Sequence, residues 1–238
     1  MPSLKEIQSR IASLLTTEKL TTAMKMISIT KYRRALHSFA AMDAFIKNFK
    51  QTTKYVQPKP QGVEKYIIVM APERGLCGSL NTRMDRFLKG KYEDYHKIVI
   101  KSIEKTSRNE LTYLATIIKS LKNYGEIKIV YINFDSTSKY TIQEIQIFPW
   151  NVNPEEDFYS MIEMQDFDEW FKNYLTYSLY HAFSHSHISE HASRMLAMDA
   201  ASKNAQKLIQ ELKLSYNKKR QELITKEIME TGVSVYGE

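Results

Sequence analysis

A short loop in the middle of the chain holds the residues best placed to do chemistry. It runs Glu73-Arg74-Gly75-Leu76-Cys77-Gly78-Ser79 and lies between a predicted strand and a predicted helix. Phosphate groups often bind at such a point, because the first N–H groups of a helix lack internal partners. The loop lacks the full glycine-rich fingerprint, and no Gly-Lys-Ser/Thr follows it. A tight turn explains its glycines better than nucleotide binding does, and no histidine is placed beside Cys77 to activate it as a nucleophile.

Four histidines form the second cluster with possible chemistry. They are His181, His185, His187 and His191. Each of the two pairs has the i, i+4 spacing that can bind zinc on a helix. At about 100° per residue, however, the second pair faces away from the first. A single four-ligand site on one helix is therefore excluded, and partly exposed helix histidines are the simpler interpretation.

Acidic residues do not supply a catalytic centre either. Residues 151–191 contain eight acids and one lysine, but these acids form a charged run rather than pairs in apolar surroundings. Raised pKa values are therefore not implied for them. We expect no catalytic residue, no cofactor and no metal ion, and a chain that is not an enzyme by itself.

The elements around these residues are predicted from the distribution of proline and glycine. Of the thirteen such residues in the 238-residue chain, ten lie between Pro58 and Pro154. Proline and glycine stop or bend helices, through a missing donor and ring clash or through backbone entropy. The two ends of the chain can therefore form two very long helices, whereas the middle must contain the turns.

Both predicted helices carry apolar residues at the three-and-four spacing of a coiled coil. In the first helix this set is Leu4, Ile7, Ile11, Leu14, Tyr32, Ala35, Phe39, Met42, Ile46 and Phe49. Between Leu14 and Tyr32 the same spacing falls on Glu18, Thr21, Lys25 and Ser28. There we expect the apolar stripe to shift around the helix, to Leu20, Met24 and Ile27.

The second helix has a matching stripe. It consists of Met195, Met198, Ala201, Ala205, Leu208 and Leu212. Neither helix can bury its stripe alone, so the pattern predicts that the two pair with each other as an antiparallel two-stranded coiled coil.

The middle of the chain alternates between strand and helix patterns. Predicted strands are Lys65–Ala71, Lys97–Lys101 and Ile127–Phe134, with an edge strand or hairpin partner at Thr141–Phe148. Predicted helices occupy about 81–89 and 111–124. This order is typical of a small, mostly parallel sheet with helices packed on it, a small Rossmann-like α/β domain. We therefore predict three regions: residues 1–57, a coiled-coil helix; 58–150, the α/β domain; and 151–238, an acidic connector followed by the second coiled-coil helix.

Net charge is distributed unevenly along the chain. Residues 1–57 carry +7 and residues 192–226 carry +5, whereas residues 151–191 carry −7. Basic helices favour an acidic partner, which can be nucleic acid, anionic lipid or an acidic protein surface. A solvated charged face explains the same pattern equally well.

Six segments, in three parts of the chain, together resemble a known family. Near the start stand Leu20–Ile27 and Lys31–Ala35, and the middle has Glu73–Asn81. Near the end run Ser189–Ala205, Tyr216–Gln221 and Ile224–Glu230. In order and spacing these segments resemble the gamma subunit of F-type ATP synthases, over nearly the whole of both helices and one loop of the middle.

The resemblance implies a non-catalytic central stalk. In that family the terminal helices form an antiparallel coiled coil inside a ring of three alpha and three beta subunits. Nucleotide is hydrolysed or made on the ring, and the stalk transmits torque between the ring and a foot or membrane ring. The resemblance thus implies alpha and beta subunits as partners, with an epsilon subunit and a membrane ring at the foot, and no direct nucleic-acid binding or membrane insertion.

The resemblance also implies a set of partner-binding residues. By motif position these are Met24, Lys25, Arg33, Arg34, Arg220, Gln221, Thr225 and Glu227. Arg220 and Gln221 match residues that touch beta subunits near the stalk tip, and Met24 and Lys25 match residues that face an acidic lever loop. The loop residues Glu73, Arg74, Gly75, Leu76, Cys77 and Gly78 are implied to be structural.

Location and alternatives follow from the same reasoning. No run approaches 18 apolar residues, and a stalk of this family lies peripherally on the cytoplasmic side of a bacterial inner membrane or on the equivalent organelle face. Three alternatives stay open: a stalk whose foot drives something other than a proton ring, a basic coiled coil that binds nucleic acid, and a small α/β enzyme with helical extensions.

Overall fold

The structure, a computed structural model, describes residues 3–51, 53, 56, 62–72, 75–101, 110–136, 139–150 and 167–235. Four helices and four strands lie in this part of the chain. The helices are α1 (Leu4–Gln51), α2 (Leu80–Leu88), α3 (Glu110–Ser120) and α4 (Phe167–Val235). The strands are β1 (Glu64–Met70), β2 (His96–Ile100), β3 (Tyr124–Phe134) and β4 (Tyr140–Phe148).

The two long helices form where proline is absent. α1 spans 48 residues without proline or glycine, and α4 spans 69 residues with one glycine, Gly232, in its last turn. α1 begins at a capping box, because the Ser3 N–H donates to Glu6 Oε2 at 2.9 Å and the Glu6 N–H donates to Ser3 Oγ at 3.2 Å. This reciprocal pair satisfies two N–H groups that a helix start otherwise leaves without partners.

The chain divides into two compact units, each of which contains part of both long helices. The first unit comprises Met1–Ile27 and Met195–Glu238, and the second comprises Ser28–Arg194.

The first unit is an antiparallel pair of helices. Its inward positions on α1 are Leu4, Ile7, Ile11, Leu14, Glu18, Thr21 and Lys25, all buried or partly buried. The facing positions on α4 are Met195, Met198, Ser202, Ala205, Ile209 and Leu212. Both sets keep the three-and-four spacing, which is the seam of a coiled coil. We call these two sets the seam of the first unit.

Two details of the predicted stripes are wrong. The seam of α1 does not shift to Leu20, Met24 and Ile27, because Leu20 and Ile27 are 56% and 57% exposed while Thr21 is buried. On α4 the seam contains Ser202 and Ile209 where Ala201 and Leu208 were expected, and Leu208 is exposed. The seam keeps its three-and-four spacing through Thr21 and Ser202. Small polar residues therefore occupy inward positions, which a search for apolar residues alone does not detect.

The second unit contains the sheet, with strand order β2-β1-β3-β4. β1 pairs in parallel with β2 and β3, and β4 pairs with β3 in the antiparallel sense. Successive side chains of β1 alternate between faces, so Ile67 and Val69 lie in one apolar cluster and Ile68 and Met70 in the other. The first cluster is completed by α2 and Cys77, whereas the second is completed by α3 and α4.

Aromatic side chains join α1 to α4 within the second unit. Phe49 lies 6.1 Å from Trp170 and 5.5 Å from Tyr177 between ring centroids, and Phe45 lies 5.1 Å from Tyr177. Further toward the sheet, Phe171 packs at 5.2 Å against both Tyr124 and Phe148. Rings of this size bury a large apolar area and add specific edge and stacking contacts.

The predicted fold class is confirmed. The terminal helices pair in the antiparallel sense, and a small α/β domain with a mixed sheet lies between them in sequence.

Candidate functional site

The last described part of α4 is the surface most clearly left for a partner. In the first unit, each step back along α1 matches an equal step forward along α4, since Lys25 contacts Asp199 and Glu18 contacts Gln206. This register places Leu4, the first residue of α1, opposite Arg220. Residues 220–231 are all exposed. We call them the exposed end of α4.

The exposed end of α4 combines charged and large apolar side chains. Leu223, Ile224, Ile228 and Met229 are between 40% and 64% exposed. A single helix in water is marginally stable, and contiguous exposed apolar surface marks an interaction site. Four of the predicted partner-binding residues, Arg220, Gln221, Thr225 and Glu227, lie on this segment and are exposed.

The other predicted partner-binding residues lie elsewhere. Lys25 is opposite Asp199, which is about 30 Å along α4 from Arg220 at 1.5 Å per residue. Met24 is partly buried beside it. Arg33 and Arg34 belong to the second unit, where both are exposed. Within the first unit the structure therefore does not gather Lys25 and Arg220 into one patch.

Lys25 has an internal partner that the sequence reasoning missed. Its Nζ lies 2.6 Å from Asp199 Oδ1, and Lys203 Nζ lies 2.7 Å from the other oxygen, Oδ2. Hydrogen bonds from Lys203 and Lys25 lower the pKa of Asp199 to about 2. Ser202 and Gln206 make further polar contacts across the helix pair, to Thr22 and Glu18. The continued three-and-four spacing through polar residues was the signal that could have found them.

Two hydrogen bonds connect the described part of the loop to α4. The Ser193 hydroxyl donates to the Cys77 carbonyl at 2.7 Å, and Arg194 Nε donates to the Gly75 carbonyl at 3.4 Å. Gly78 has a φ of +62°, which favours glycine. Leu76 is exposed, and Glu73 and Arg74 lie outside the described residues. These contacts pack the loop against α4, and the Cys77 side chain lies in the apolar cluster that α2 covers.

Cys77 is a buried side chain rather than a reactive one. It is 1% exposed within the apolar cluster that α2 covers. Burial, with a smaller contribution from the charge of Glu190, raises the pKa of its thiol. A raised pKa lowers the thiolate fraction at neutral pH, and the thiolate is the nucleophilic form.

The four histidines form two separate pairs, as the helix geometry predicts. His181 lies 3.3 Å from Asp43, and the His185 Nδ1 accepts the Phe134 N–H at 3.3 Å. His191 is 3% exposed, so it is more buried than the sequence interpretation implied. Burial and the charge of Lys50 lower the pKa of His181 to about 4, which keeps it neutral.

The second pair is held in a hydrogen-bonded network. Arg194 Nη1 donates to His191 Nδ1 at 3.2 Å, since a guanidinium only donates. Neutral His191 then carries its proton on Nε2 and donates to His187 Nε2 at 3.0 Å. If a metal ion bound His191 through Nε2, the proton of the neutral ring would have to lie on Nδ1. Nδ1 could then no longer accept the hydrogen bond that Arg194 donates. Among the described residues, no group of three or more His, Cys, Asp or Glu side chains is placed to hold a metal ion.

One cavity lies where α4 begins. It has a volume of about 200 Å³, below the usual size of small-molecule sites. Its lining combines the aliphatic residues of α3 and α4 with Lys119, Asp168 and Lys172. Burial and the charge of Asp168 raise the pKa of Tyr124, in the cavity wall, to about 12. The raised pKa keeps the Tyr124 hydroxyl protonated at neutral pH.

In the described part of the chain, no helix combines the length and hydrophobicity needed to span a bilayer.

The paired helices, the sheet between them in sequence and the exposed end of α4 define a protein with a coiled-coil and a small α/β sheet. Comparison with known proteins makes this specific. Residues 3–101 and residues 87–233 each match the ATP synthase family. The chain therefore belongs to the ATP synthase family and, within it, to the gamma chains, which confirms the resemblance seen in the sequence motifs.

Two relatives illustrate the match. The ATP synthase gamma chain of Geobacter metallireducens is 30% identical, with 97% of this chain and 96% of the relative covered. The mitochondrial ATP synthase subunit gamma of Drosophila melanogaster is 28% identical, with 97% and 89% covered. These alignments extend over 282 and 264 positions, so the relatives contain residues that this chain lacks.

Solved structures share the fold. A chain of the Euglena gracilis mitochondrial ATP synthase, from a structure titled OSCP/F1/c-ring, superposes with a TM-score of 0.78 at 18% identity. This superposition covers 98% of the present chain and 94% of the other. As a gamma chain the protein is a non-catalytic subunit, and the nucleic-acid and enzyme alternatives are not favoured.

Proposed function

We propose that this chain is the central stalk of a rotary ATP synthase and transmits torque between a catalytic ring and a foot or membrane ring. The observation that carries the proposal is the exposed end of α4, whose apolar side chains Leu223, Ile224, Ile228 and Met229 are between 40% and 64% exposed. Such a segment gains stability only when another surface covers it.

The proposed ring consists of three alpha and three beta subunits. The similar solved structures come from assemblies titled OSCP/F1/c-ring, rotor, and central stalk/cring. These titles support an assembly of the same kind for this chain, with a membrane ring. We propose in addition that an epsilon subunit binds at the foot. We place the complex peripherally on a membrane, on the cytoplasmic side in a bacterium or on the equivalent organelle face.

Two surfaces of the chain have distinct proposed roles. The exposed end of α4, with Arg220, Gln221, Thr225 and Glu227, contacts the ring at the tip of the stalk. Met24, Lys25, Arg33 and Arg34 face acidic segments of the ring farther from that tip. Exposed ion pairs are worth only about 0–1 kcal/mol in water, so such contacts can be broken and remade at each step.

The three predicted regions correspond to these roles. Residues 1–57 and the helical part of 151–238 supply the stalk, and residues 58–150 supply the foot. The described loop residues, from Gly75 to Gly78, have a structural role rather than a ligand-binding one. The contacts of Ser193 and Arg194 with Cys77 and Gly75 support this structural role.

A double substitution at the tip tests the proposal. We expect Arg220→Ala with Gln221→Ala, in the assembled complex, to lower torque in single-molecule rotation and to loosen the coupling of ATP hydrolysis to rotation. The matched control is Lys207→Ala with Gln210→Ala, two exposed residues on the paired part of α4. Unchanged torque in the tip variant, with a normal helix content by circular dichroism, would remove the tip assignment.

A further inference from the structure

Three polar contacts cross the helix pair of the first unit in a constant register. Lys25 Nζ meets Asp199 Oδ1 at 2.6 Å, and the Thr22 and Ser202 hydroxyls meet at 3.0 Å. One turn farther along, Gln206 Nε2 donates to Glu18 Oε1 at 2.6 Å. The contacts advance by three and then four residues on both helices, as side chains do on facing sides of a coiled coil.

Near these three polar contacts, the apolar residues of the seam distinguish poorly between alternative registers of α1 against α4. A slip of one heptad places seam residues opposite seam residues again, because the spacing repeats every seven positions. Within the stretch that holds the three polar contacts, the buried seam residues Thr21, Ser202 and Ala205 are small, and the larger seam residues Met198 and Ile209 lie just outside it. Small side chains form few shape-specific contacts, so the apolar energy changes little on slipping.

The polar contacts discriminate strongly. In one slipped register Lys25 faces Gln206 and loses its carboxylate. In the opposite slipped register Asp199 faces Glu18, and two acids meet. Like charges across a helix interface are unfavourable, and a polar residue at such an interface is the best-attested means of fixing coiled-coil register.

Asp199 is the centre of this arrangement. One carboxylate oxygen contacts Lys25 on the other helix, and the other oxygen contacts Lys203 one turn along α4. The Lys203 pair orients the carboxylate, because both of its oxygens are then occupied and its rotamer is restricted. The Asp199 side chain is 27% exposed and that of Lys25 is 34% exposed, so both are partly withdrawn from water.

We propose that Asp199, through its ion pair with Lys25, is a positioning residue that selects one register of the α1–α4 pair and excludes slips of one heptad. The proposal concerns the chain itself and does not rest on the proposed function. If the chain is a stalk, a single register lets it turn without one helix sliding along the other.

Disulfide trapping in the full-length chain tests the register directly. Cys77→Ser provides a background without native cysteine. Thr22→Cys with Ser202→Cys reports the present register, whereas Thr22→Cys with Ile209→Cys reports a slip of one heptad. With Asp199 intact, we expect the first pair to cross-link at least about tenfold faster, because a disulfide forms only within a narrow Cα separation.

Substitution of Asp199 is the decisive part of this cross-linking experiment. We expect Asp199→Ala to reduce the tenfold preference to about threefold or less, whereas the conservative variant Asp199→Glu restores it. The control Lys203→Ala removes only the contact within α4 and should lower the preference less than Asp199→Ala does. Lys25→Ala should reproduce the loss.

Two outcomes would overturn the proposal. One is an unchanged preference in both Asp199→Ala and Lys25→Ala, which would mean that other contacts set the register. The other is loss of both cross-links in Asp199→Ala, which would mean that the ion pair holds the helices together rather than selecting between registers. Neither result depends on rotation, so failure here is distinct from failure of the stalk assignment.

Discussion

The two units use the same helix spacing with different chemistry. In the first unit the buried centre of the seam is small or polar, with Thr21, Ser202 and Ala205 inward and an ion pair across the helices. In the second unit the facing helices interlock through rings such as Phe49 and Trp170, which also pack toward the sheet.

The contacts that define how the two helices pair are therefore distinct from those that supply most of the stability. Buried aromatic area stabilises strongly and without direction, so the second unit is expected to hold its structure alone. Polar contacts in water stabilise weakly but depend on geometry, so the first unit has a defined register and little reserve of stability. A region of low intrinsic stability is suited to be completed by a partner.

The largest expected effect is in the aromatic core. Phe171 is 2% exposed and contacts Tyr124 and Phe148. Phe171→Ala should lower the free energy of unfolding of the second unit by about 3–5 kcal/mol, since it removes contacts and leaves a cavity. Urea unfolding followed by hydrogen exchange in the sheet measures this loss.

The matched substitution in the first unit is Met198→Ala. Met198 is 5% exposed at the seam. We expect the sheet amides to keep their protection and only amides of the helix pair to exchange faster. Equal destabilisation of the sheet by both variants would contradict the separation of the two units.

Acid should weaken the second unit before the first. All six histidines lie between residues 28 and 194. His181 has a pKa of about 4 in the folded chain, below its usual value of 6.5, so the unfolded chain binds the proton first. The neutral folded form has its full stability above pH 6.5, and stability is lost as the pH falls from 6.5 toward 4, by about 3 kcal/mol.

The measurement is urea unfolding at pH 7 and at pH 4.5. The titratable groups that act on His181 are Asp43 and Lys50 on α1 and His185 on α4, and Lys47 on α1 pairs with Asp43. His181→Gln should reduce the loss of stability on acidification. An unchanged pH dependence in that variant would show that His181 is not the responsible group.

A hydrogen-bond comparison has a smaller expected effect. Ser193 is buried and donates to the carbonyl of the buried Cys77, whereas Ser202 contacts the exposed Thr22. Ser193→Ala should cost about 1–3 kcal/mol, because the Cys77 carbonyl is left without that donor. Ser202→Ala should cost about 0.5 kcal/mol, because Thr22 can turn to water. Thermal unfolding of the two variants side by side decides whether the costs differ in this order.

The smallest effect is expected at the exposed end of α4. Lys226 lies 3.5 Å from Glu230, and both side chains are mostly exposed. Lys226→Gln should change the free energy of unfolding by less than about 0.5 kcal/mol. A calorimetric change above 1 kcal/mol would indicate that this segment is not exposed as described.

Sequence alone predicted the long helices and the sheet because their signals are local. Proline and glycine are absent from α1, and α4 contains only Gly232, in its last turn. The strand boundaries moved by one to three residues where tertiary contact intervened. β3 begins at Tyr124 and includes Gly125, where a Cβ would meet the Gly62 carbonyl oxygen at 2.6 Å.

The candidate site was less accessible to sequence reasoning. Arg220 and Gln221 were identified from motif position, but their exposure depends on where α1 begins opposite them. The polar seam was missed because apolar periodicity assigns Thr21 and Ser202 to the surface. The role of Asp199 needs the pairing register, which no local pattern contains.

The central claim is that a partner covers the exposed end of α4. Hydrogen exchange of amides 220–231 tests it most directly, by comparing the free chain with the chain assembled in a complex with three alpha and three beta subunits. The account predicts rapid exchange in the free chain and protection of at least about a hundredfold in the complex, since a covered helix stops fraying. Equal exchange rates in the two states would contradict it.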